Sequence, residues 1–210
     1  MKKAHYIVFD TETGGFDPTE NPIIEIAMIA LDGTSLKEID RYETLIKPYD
    51  DLIVTKEALK ANGLNLSDVH ENGLIKTVAF KEITQFIKKL NPKSNKFNKP
   101  ILVGHNVQFD IDMMEMFFYL NKESNLYDFV NRQTICTMVE AKRMGIEDSL
   151  SLSSLCEKLG IVLNNAHKAM PDTLATAEAF RKLTFALRGD FGDASTNTKK
   201  KDKSRFKFQM

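Results

Sequence analysis

An acidic pair near the N-terminus has the residue types and spacing that could carry chemistry. Asp10 and Glu12 follow the apolar run Tyr6-Ile7-Val8-Phe9, and a spacing of two on a strand places both carboxylates on one face. An acidic pair at the end of a buried strand is costly unless a cation compensates it. The same pair also occurs at ordinary solvated strand ends, so its meaning depends on whether other acids reach the same place.

Two further aspartates lie on the packed faces of predicted helices. Asp110 shares a helical face with two methionines and a phenylalanine, at positions i, i+3, i+4 and i+7. Asp172 shares a face with Ala175, Thr176 and Ala179. Asp112, by contrast, lies about 200° around the helix from Asp110, at ~100° per residue, and is predicted to face solvent. The pattern therefore predicts that Asp110 points into the protein and that Asp112 points into solvent.

Carboxylates without paired histidines or cysteines indicate a hard cation. Such oxygen ligands suit Mg²⁺ or Mn²⁺ rather than zinc. Four carboxylates exceed what one magnesium ion usually takes from a protein, and two ions about 3.5–4 Å apart drive in-line phosphoryl chemistry. We therefore expect two divalent cations, Mg²⁺ or Mn²⁺, held by the inward-facing acids Asp10, Glu12, Asp110 and Asp172.

His167 adds an imidazole five residues before Asp172. On an unbroken helix this spacing would separate the two side chains by about 140°. Pro171 changes that geometry, because proline is favoured at the first helical position. A helix that starts near Pro171 leaves His167 in the preceding loop, where it can reach over the acids.

The remaining pattern predicts an alternation of strands and helices. Apolar and β-branched runs predict strands at residues 6–9, 23–31, 36–46, 101–103 and 134–137. Helical periodicity predicts helices at residues 55–62 and 78–90, and around Asp110, before Met144, before Gly160 and after Pro171. Glu25 interrupts the second strand, and its spacing assigns it no role.

Composition bounds the class of protein. The 210 residues, with 29 basic and 29 acidic side chains, suit one domain and carry no global signal for binding polyanions. Residues 190–210 hold six basic and three acidic side chains, and the apolar pattern stops before them, which predicts a flexible basic tail. Cys136 and Cys156 form neither a metal motif nor a disulfide framework. With no run long enough to span a membrane, we expect a soluble, cytoplasmic protein.

Three segments resemble the exonuclease motifs of the DnaQ-like (DEDDh) family. They are Phe9-Asp10-Thr11-Glu12-Thr13-Gly14, Gly104-His105-Asn106-Val107-Gln108-Phe109-Asp110 and His167-Lys168-Ala169-Met170-Pro171-Asp172. Their order and separations match across residues 5–187. The resemblance implies an α/β fold of the ribonuclease H-like type, with a five-stranded mixed sheet flanked by helices. It also implies an exonuclease domain over residues 1–189 that hydrolyses nucleic acid 3′→5′ and releases nucleoside monophosphates.

The resemblance also implies catalytic roles. By similarity, Asp10 contacts both ions, Glu12 and Asp172 complete the first site, and Asp110 holds the second. His167 is the general base for the attacking water, a role that suits histidine because its ordinary pKa lies near neutral pH.

Substrate contacts follow from the same resemblance. The backbone at Thr13 and Gly14 would meet the terminal 3′-OH. Phe16 matches a turn aromatic that stacks on terminal bases in ribonuclease T-like members, although it could equally cap the core. His105 and Asn106 lie beside the site by the same resemblance; an asparagine such as Asn106 more often has a structural role that ties loops together, and His105 suits either role. Many relatives carry a histidine where this chain has Asn62.

The leading interpretation is a metal-dependent 3′→5′ exonuclease of single-stranded DNA ends with a free 3′-OH, similar to proofreading members. A ribonuclease T-like or oligoribonuclease-like enzyme that trims RNA 3′ ends is the close alternative. The third alternative is a non-catalytic module that accompanies a polymerase. A separate DNA polymerase is a candidate partner, and no membrane is expected.

Overall fold

The computed structural model describes residues 4–122, 124–146, 151–164 and 167–189. These residues form a five-stranded mixed sheet with helices on both faces, which confirms the predicted α/β class. The predicted basic tail, residues 190–210, lies outside the described residues. Within the described ranges, no helix is both long and apolar enough to cross a membrane.

The sheet has the strand order β3-β2-β1-β4-β5. The strands are β1 (Tyr6–Thr13), β2 (Ile23–Leu31), β3 (Glu38–Leu45), β4 (Ile101–Gly104) and β5 (Thr134–Cys136). The first three pair antiparallel, whereas β4 pairs parallel with β1 and β5 parallel with β4. β1 is therefore the central strand, as its apolar run predicts.

Seven helices surround this sheet in the described residues. They are α1 (Lys56–Asn62), α2 (Leu66–Asn72), α3 (Lys76–Leu90), α4 (Val107–Tyr119), α5 (Thr137–Arg143), α6 (Leu152–Leu159) and α7 (Ala169–Arg188). Thr55 caps α1 by accepting a hydrogen bond from the Ala58 N–H. Gly63 ends it with φ 60°, a conformation that costs glycine little.

Two hydrophobic layers fix the helices to opposite faces of the sheet. On one face, Ile7 and Phe9 of β1 belong to a buried cluster with Phe117 of α4. On the other face, Val8 belongs to a cluster with Phe180 of α7. Because side chains alternate along a strand, the residues of β1 that follow Val8 at intervals of two face α7.

The structure differs from the sequence prediction at two helices. The short helix α2 was not predicted, since only its Val69 is buried and no apolar stripe marks it. The helix α7 begins at Ala169 rather than near Pro171. Proline is accommodated there because the first four N–H groups of a helix have no intrahelical partner.

Candidate active site

The strand β1 and the helix α7 bring three of the predicted acids together. Asp10 and Glu12 project from β1 toward α7, and Asp172 lies in the first turn of α7. One carboxylate oxygen from each of Asp10, Glu12 and Asp172 lies within 4.8 Å of the others. We call these three side chains the carboxylate triad.

One oxygen of the triad is left without a protein partner. Asp172 Oδ2 accepts a hydrogen bond from the backbone N–H of His167 at 3.1 Å. Asp172 Oδ1 is buried and has no hydrogen-bond partner in the part of the chain that the structure describes. A buried, unpaired carboxylate oxygen beside two further carboxylates is costly unless a cation neutralises it. The donor set, all oxygen, therefore fits a divalent metal ion.

Asp110 approaches the site from the other side of β1. It projects from α4, and its Oδ1 accepts hydrogen bonds from the Thr11 backbone N–H at 3.0 Å and from Thr11 Oγ1 at 2.7 Å. Asp110 does not belong to the triad, yet its charge is the neighbour that most raises the pKa of Asp10. The sequence predicted four converging acids, and the structure places three in one cluster with the fourth adjacent to it.

The pKa values of these acids are raised mainly by burial, and for Asp10 and Glu12 also by the charges of neighbouring carboxylates. Burial raises the pKa of Asp10 well above its ordinary value, and the charges of Asp110 and Glu12 add to this. Burial, followed by the charge of Glu25, raises the pKa of Glu12 to about 8. The pKa of Asp110 rises to about 7 because burial outweighs its hydrogen bonds from Thr11. Each group thus resists ionisation without a compensating cation.

His167 lies where the sequence predicted, immediately before the final helix. Its side chain is exposed, and its backbone has φ 66°. This left-handed conformation is uncommon outside glycine, although asparagine, aspartate and histidine adopt it more often than other residues do. The bond from its N–H to Asp172 ties the histidine backbone to the triad.

The turn after β1 is closed by internal hydrogen bonds. Thr13 Oγ1 donates to the Gly15 carbonyl at 2.6 Å. The Gly14 N–H donates to the Pro22 carbonyl, and the Gly14 carbonyl accepts from the Thr55 N–H, both at 2.8 Å. A Cβ on Gly14 would lie 2.7 Å from the Ile53 carbonyl oxygen. The close packing around this residue therefore requires glycine.

Two aromatic rings meet between the turn after β1 and the first turn of α4. Phe16 is 90% exposed, so it does not cap the core. Its ring meets the ring of Phe109 edge-to-face, with 6.2 Å between centroids. Phe109 precedes Asp110 on α4 and was not singled out from the sequence, although it lies inside the second motif.

His105 and Asn106 connect β4 to α4. His105 Nδ1 lies 3.0 Å from Thr137 Oγ1, which links the end of β4 to the start of α5. Asn106 is exposed, with φ 58°, and its side chain makes no capping hydrogen bond to α4. The structure therefore gives His105 a structural contact to α5, whereas the Asn106 side chain does not cap α4.

Sequence reasoning assigned no role to three residues that contact the site. Glu25 lies directly opposite Glu12 on β2, and its Oε2 accepts from the backbone N–H of Ala169 at 3.2 Å. Lys168 Nζ donates to the Gly63 carbonyl at 3.2 Å, and its charge lowers the pKa of Glu12. Asn62 Nδ2 donates to the Thr13 carbonyl at 3.4 Å. For Glu25 a signal existed, since it is the one charge in a fully buried nine-residue strand.

Comparison with known proteins identifies the class. The sequence profile of the RNase T family of exonucleases matches residues 7–180. The chain belongs to this family, which comprises DnaQ-like 3′→5′ exonucleases of the RNase H-like superfamily.

Individual relatives come from several branches. The chain is 30% identical over 185 residues to a PolC-type DNA polymerase III of Thermotoga maritima, covering 88% of this chain and 12% of that protein. It is 27% identical over 209 residues to a ribonuclease T of Buchnera aphidicola, covering 95% of this chain and 91% of that protein. E. coli exonuclease I in complex with a dT13 oligonucleotide superposes with a TM-score of 0.73 at 20% identity. That match covers 90% of this chain and 43% of exonuclease I, and it shows the shared fold.

Proposed function

We propose that this protein is a metal-dependent 3′→5′ exonuclease that hydrolyses single-stranded DNA ends to nucleoside monophosphates. The observation that carries the proposal is the carboxylate triad, with the buried, unpaired Oδ1 of Asp172 among its oxygens. Membership of an exonuclease family supports the reaction type. We assign the activity to residues 1–189, a range that contains the family match.

Two divalent ions, Mg²⁺ or Mn²⁺, are the proposed cofactors. Asp10, Glu12 and Asp172 would hold the first ion, and Asp110 with Asp10 would hold the second. When bound, such a pair supplies charge stabilisation for in-line displacement at phosphorus. The closeness of Asp110 to Asp10, evident in the raised pKa of Asp10, supports a second ion beside the first.

His167 is the proposed general base. Its exposed imidazole is accessible to water, and its backbone bond to Asp172 keeps it next to the triad. In this role a ring nitrogen accepts a proton from the attacking water as the phosphorus–oxygen bond forms. The leaving 3′-oxygen then departs with the shortened strand.

The aromatic edge supports a single-stranded substrate. Phe16 is 90% exposed and meets Phe109 edge-to-face, and unpaired bases can stack on an exposed ring with little dependence on sequence. Thr13, Gly14, His105 and Asn106 complete the proposed contacts to the 3′-terminal nucleotide. Both backbone groups of Gly14 are paired within the protein, so its contribution is the shape of the turn. The preference for DNA rests on the resemblance of the third motif to proofreading members.

An RNA 3′-trimming activity is the second candidate. It is favoured by the ribonuclease T relative, of which this chain covers 91%. The match to the PolC-type polymerase III covers 12% of that protein, and a DNA polymerase is a proposed partner of this chain. A non-catalytic module is disfavoured because all four acids and His167 are present.

Digestion of matched 5′-labelled DNA and RNA oligomers, with and without Mn²⁺, tests the proposal. We expect a descending ladder from the DNA strand, lost with a chelator and lost in Asp10→Asn. Asp112→Asn is the matched control, because Asp112 is an exposed aspartate on α4. Faster digestion of RNA would favour the second candidate, and activity in Asp10→Asn would contradict the metal mechanism.

A further inference from the structure

Glu25 is a buried carboxylate that the proposed reaction does not use. It is 8% exposed and lies directly opposite Glu12 in the antiparallel register of β1 and β2. Like charges directly opposite each other in a sheet are destabilising, and burial of a carboxylate adds to the cost. An interaction in the fold must therefore compensate this side chain.

The N-terminus of α7 supplies that compensation. Glu25 Oε2 accepts a hydrogen bond from the Ala169 N–H at 3.2 Å. Ala169 is the first residue of α7, and Lys168 at the N-cap position makes no side-chain capping bond. The first N–H groups of a helix lack intrahelical partners and attract negative charge. A carboxylate from β2 thus caps a helix whose own N-cap residue does not.

The capped residue lies between two side chains of the proposed reaction. His167 is two residues before Ala169, and Asp172 is three residues after it. The sheet carries the other two triad members on β1, and β1 is paired along its length with β2. The bond from Glu25 to Ala169 therefore joins the strand side of the triad to its helix side.

We propose that Glu25 is a positioning residue of this site. Through the Ala169 N–H it fixes the first turn of α7 against the sheet and so holds Asp172 beside Asp10 and Glu12. Glu25 itself is not part of the triad. The inference rests on the proposed function for its kinetic consequence, whereas the hydrogen bond and its effect on metal affinity can be measured separately.

The test compares Glu25→Leu, which removes the acceptor at similar size, with Glu25→Gln, which keeps an acceptor oxygen but removes the charge. Glu43→Leu is the matched control, because Glu43 lies on the same sheet face, opposite Ala27, and is exposed. The readouts are hydrogen exchange of the Ala169 amide, Mn²⁺ affinity by calorimetry, and kcat and KM on a labelled single strand.

We expect Glu25→Leu to expose the Ala169 amide to faster exchange and to weaken Mn²⁺ binding and kcat by roughly 10–100-fold, the usual effect of losing a residue that orients metal ligands. KM should change little, since no contact to the strand is lost. Glu25→Gln should keep most of the wild-type amide protection, Mn²⁺ affinity and kcat, and Glu43→Leu should match the wild type in all three.

A second variant covers the case in which Glu25→Leu does not fold. Ala169→Pro removes the donor from the other side of the bond, at a helical position that favours proline. Lys168 has φ −135° and ψ 134°, the extended conformation that a residue before proline adopts. This variant should reproduce the loss of Mn²⁺ affinity.

Two results would overturn the inference. Wild-type Mn²⁺ affinity in folded Glu25→Leu or Ala169→Pro would show that the bond does not position Asp172. Equal damage in Glu25→Gln and Glu25→Leu would show that charge, not the hydrogen bond, matters. A wild-type protein that cleaves no nucleic acid would refute the proposed function alone, since amide exchange and Mn²⁺ affinity would still decide the role of Glu25.

Discussion

The backbone N–H of His167 donates to Oδ2 of Asp172 at 3.1 Å. The two residues are thus linked through the main chain of the histidine, which leaves its imidazole exposed. The same bond occupies Oδ2 of Asp172, whereas Oδ1 is buried and has no hydrogen-bond partner among the described residues. One turn of the chain therefore fixes the positions of both the proposed base, His167, and a proposed metal ligand, Asp172.

Replacement of His167 by asparagine should reduce the hydrolysis rate by roughly 10²–10⁴-fold, the usual contribution of a positioned general base. Asparagine is chosen because it tolerates the left-handed conformation of this residue, φ 66°, better than alanine does. The backbone bond to Asp172 should persist, so Mn²⁺ affinity by calorimetry should stay near wild type.

His70→Asn is the control for His167→Asn, because His70 is an exposed histidine on α2. An unchanged rate in His167→Asn would show that His167 contributes only to the turn and is not the general base. A matching loss of Mn²⁺ affinity would instead make it a ligand.

The metal-free protein should be more stable at pH 5.5 than at pH 8. Glu12 has an ordinary pKa of 4.5 and a folded-state pKa of about 8. Between these values the folded state holds a proton that the unfolded state has lost, so stability falls as pH rises. The raised pKa values of Asp10, Asp110 and Asp172 act in the same direction. Thermal unfolding with a chelator should show a Tm lower at pH 8 by at least about 2–4 °C, which corresponds to about 1 kcal/mol in a protein of this size.

Divalent metal should reverse that pH dependence, because carboxylates must lose their protons to bind it. In saturating Mg²⁺, the gain in Tm should be larger at pH 8 than at pH 5.5. Asp10→Asn should flatten the metal-free slope by removing one charge from the cluster. Asp17 and Asp32 have lowered pKa values. Their contributions to folding stability are therefore lost only near or below pH 4 and do not change the comparison between pH 5.5 and pH 8. A metal-free Tm that is equal or higher at pH 8 would contradict the raised pKa values of the clustered acids.

The site could be predicted from sequence where the periodic pattern alone orients a side chain. A spacing of two placed Asp10 and Glu12 on one face of β1, and helical spacing placed Asp110 on the buried face of α4. Asp112 is exposed, as the same spacing predicts. These assignments depend on neighbours along the chain, which the sequence contains.

The contacts that the sequence did not predict join residues far apart in the chain. Glu25 caps a helix 144 residues later, and no local pattern encodes which strand faces which helix end. Asp110 is bonded to Thr11 across 99 residues, a contact that no local pattern in the sequence predicts. Glycine at position 14 was attributed to substrate access, yet the structure requires it for packing against Ile53.

Removal of the Phe16 ring should slow digestion of all strand sequences by a similar factor. The ring is 90% exposed beside Phe109, and stacking on a base contributes about 1–3 kcal/mol with little dependence on its identity. Phe16→Ala should therefore raise KM for homopolymers of each base alike. Tyr119→Ala is the control, since Tyr119 is 57% exposed at the far end of α4. A loss confined to one base would show recognition of base edges instead, and equal losses in both variants would remove the special role of Phe16.

A phosphate at the 3′ end should block digestion, whereas a phosphate at the 5′ end should have no effect. Glu12 and Asp172 lie in the triad with Asp10, and Glu25 lies opposite Glu12. The two proposed ions would offset their four carboxylate ligands, which leaves Glu25 as a neighbouring acid that no proposed ion contacts. Repulsion between like charges at 4 Å amounts to about 1 kcal/mol even in water, so the added charges of a terminal phosphate should slow the reaction by at least roughly tenfold. The N–H of Gly14 donates to Pro22 and so offers a terminal phosphate no compensating bond.

The measurement is a time course on 5′-labelled single strands that carry either a hydroxyl or a phosphate at the 3′ end. For each 3′ end, an unlabelled strand that carries a 5′-phosphate is digested in parallel. The hydroxyl strand should give a ladder that shortens from the 3′ end, and the 3′-phosphorylated strand should persist until a phosphatase restores its hydroxyl. Fast degradation of the 3′-phosphorylated strand would contradict the electrostatic argument for the triad. Release of the 5′ label as the first mononucleotide would reverse the assigned direction, and with it the placement of the 3′ end beside Thr13 and Gly14.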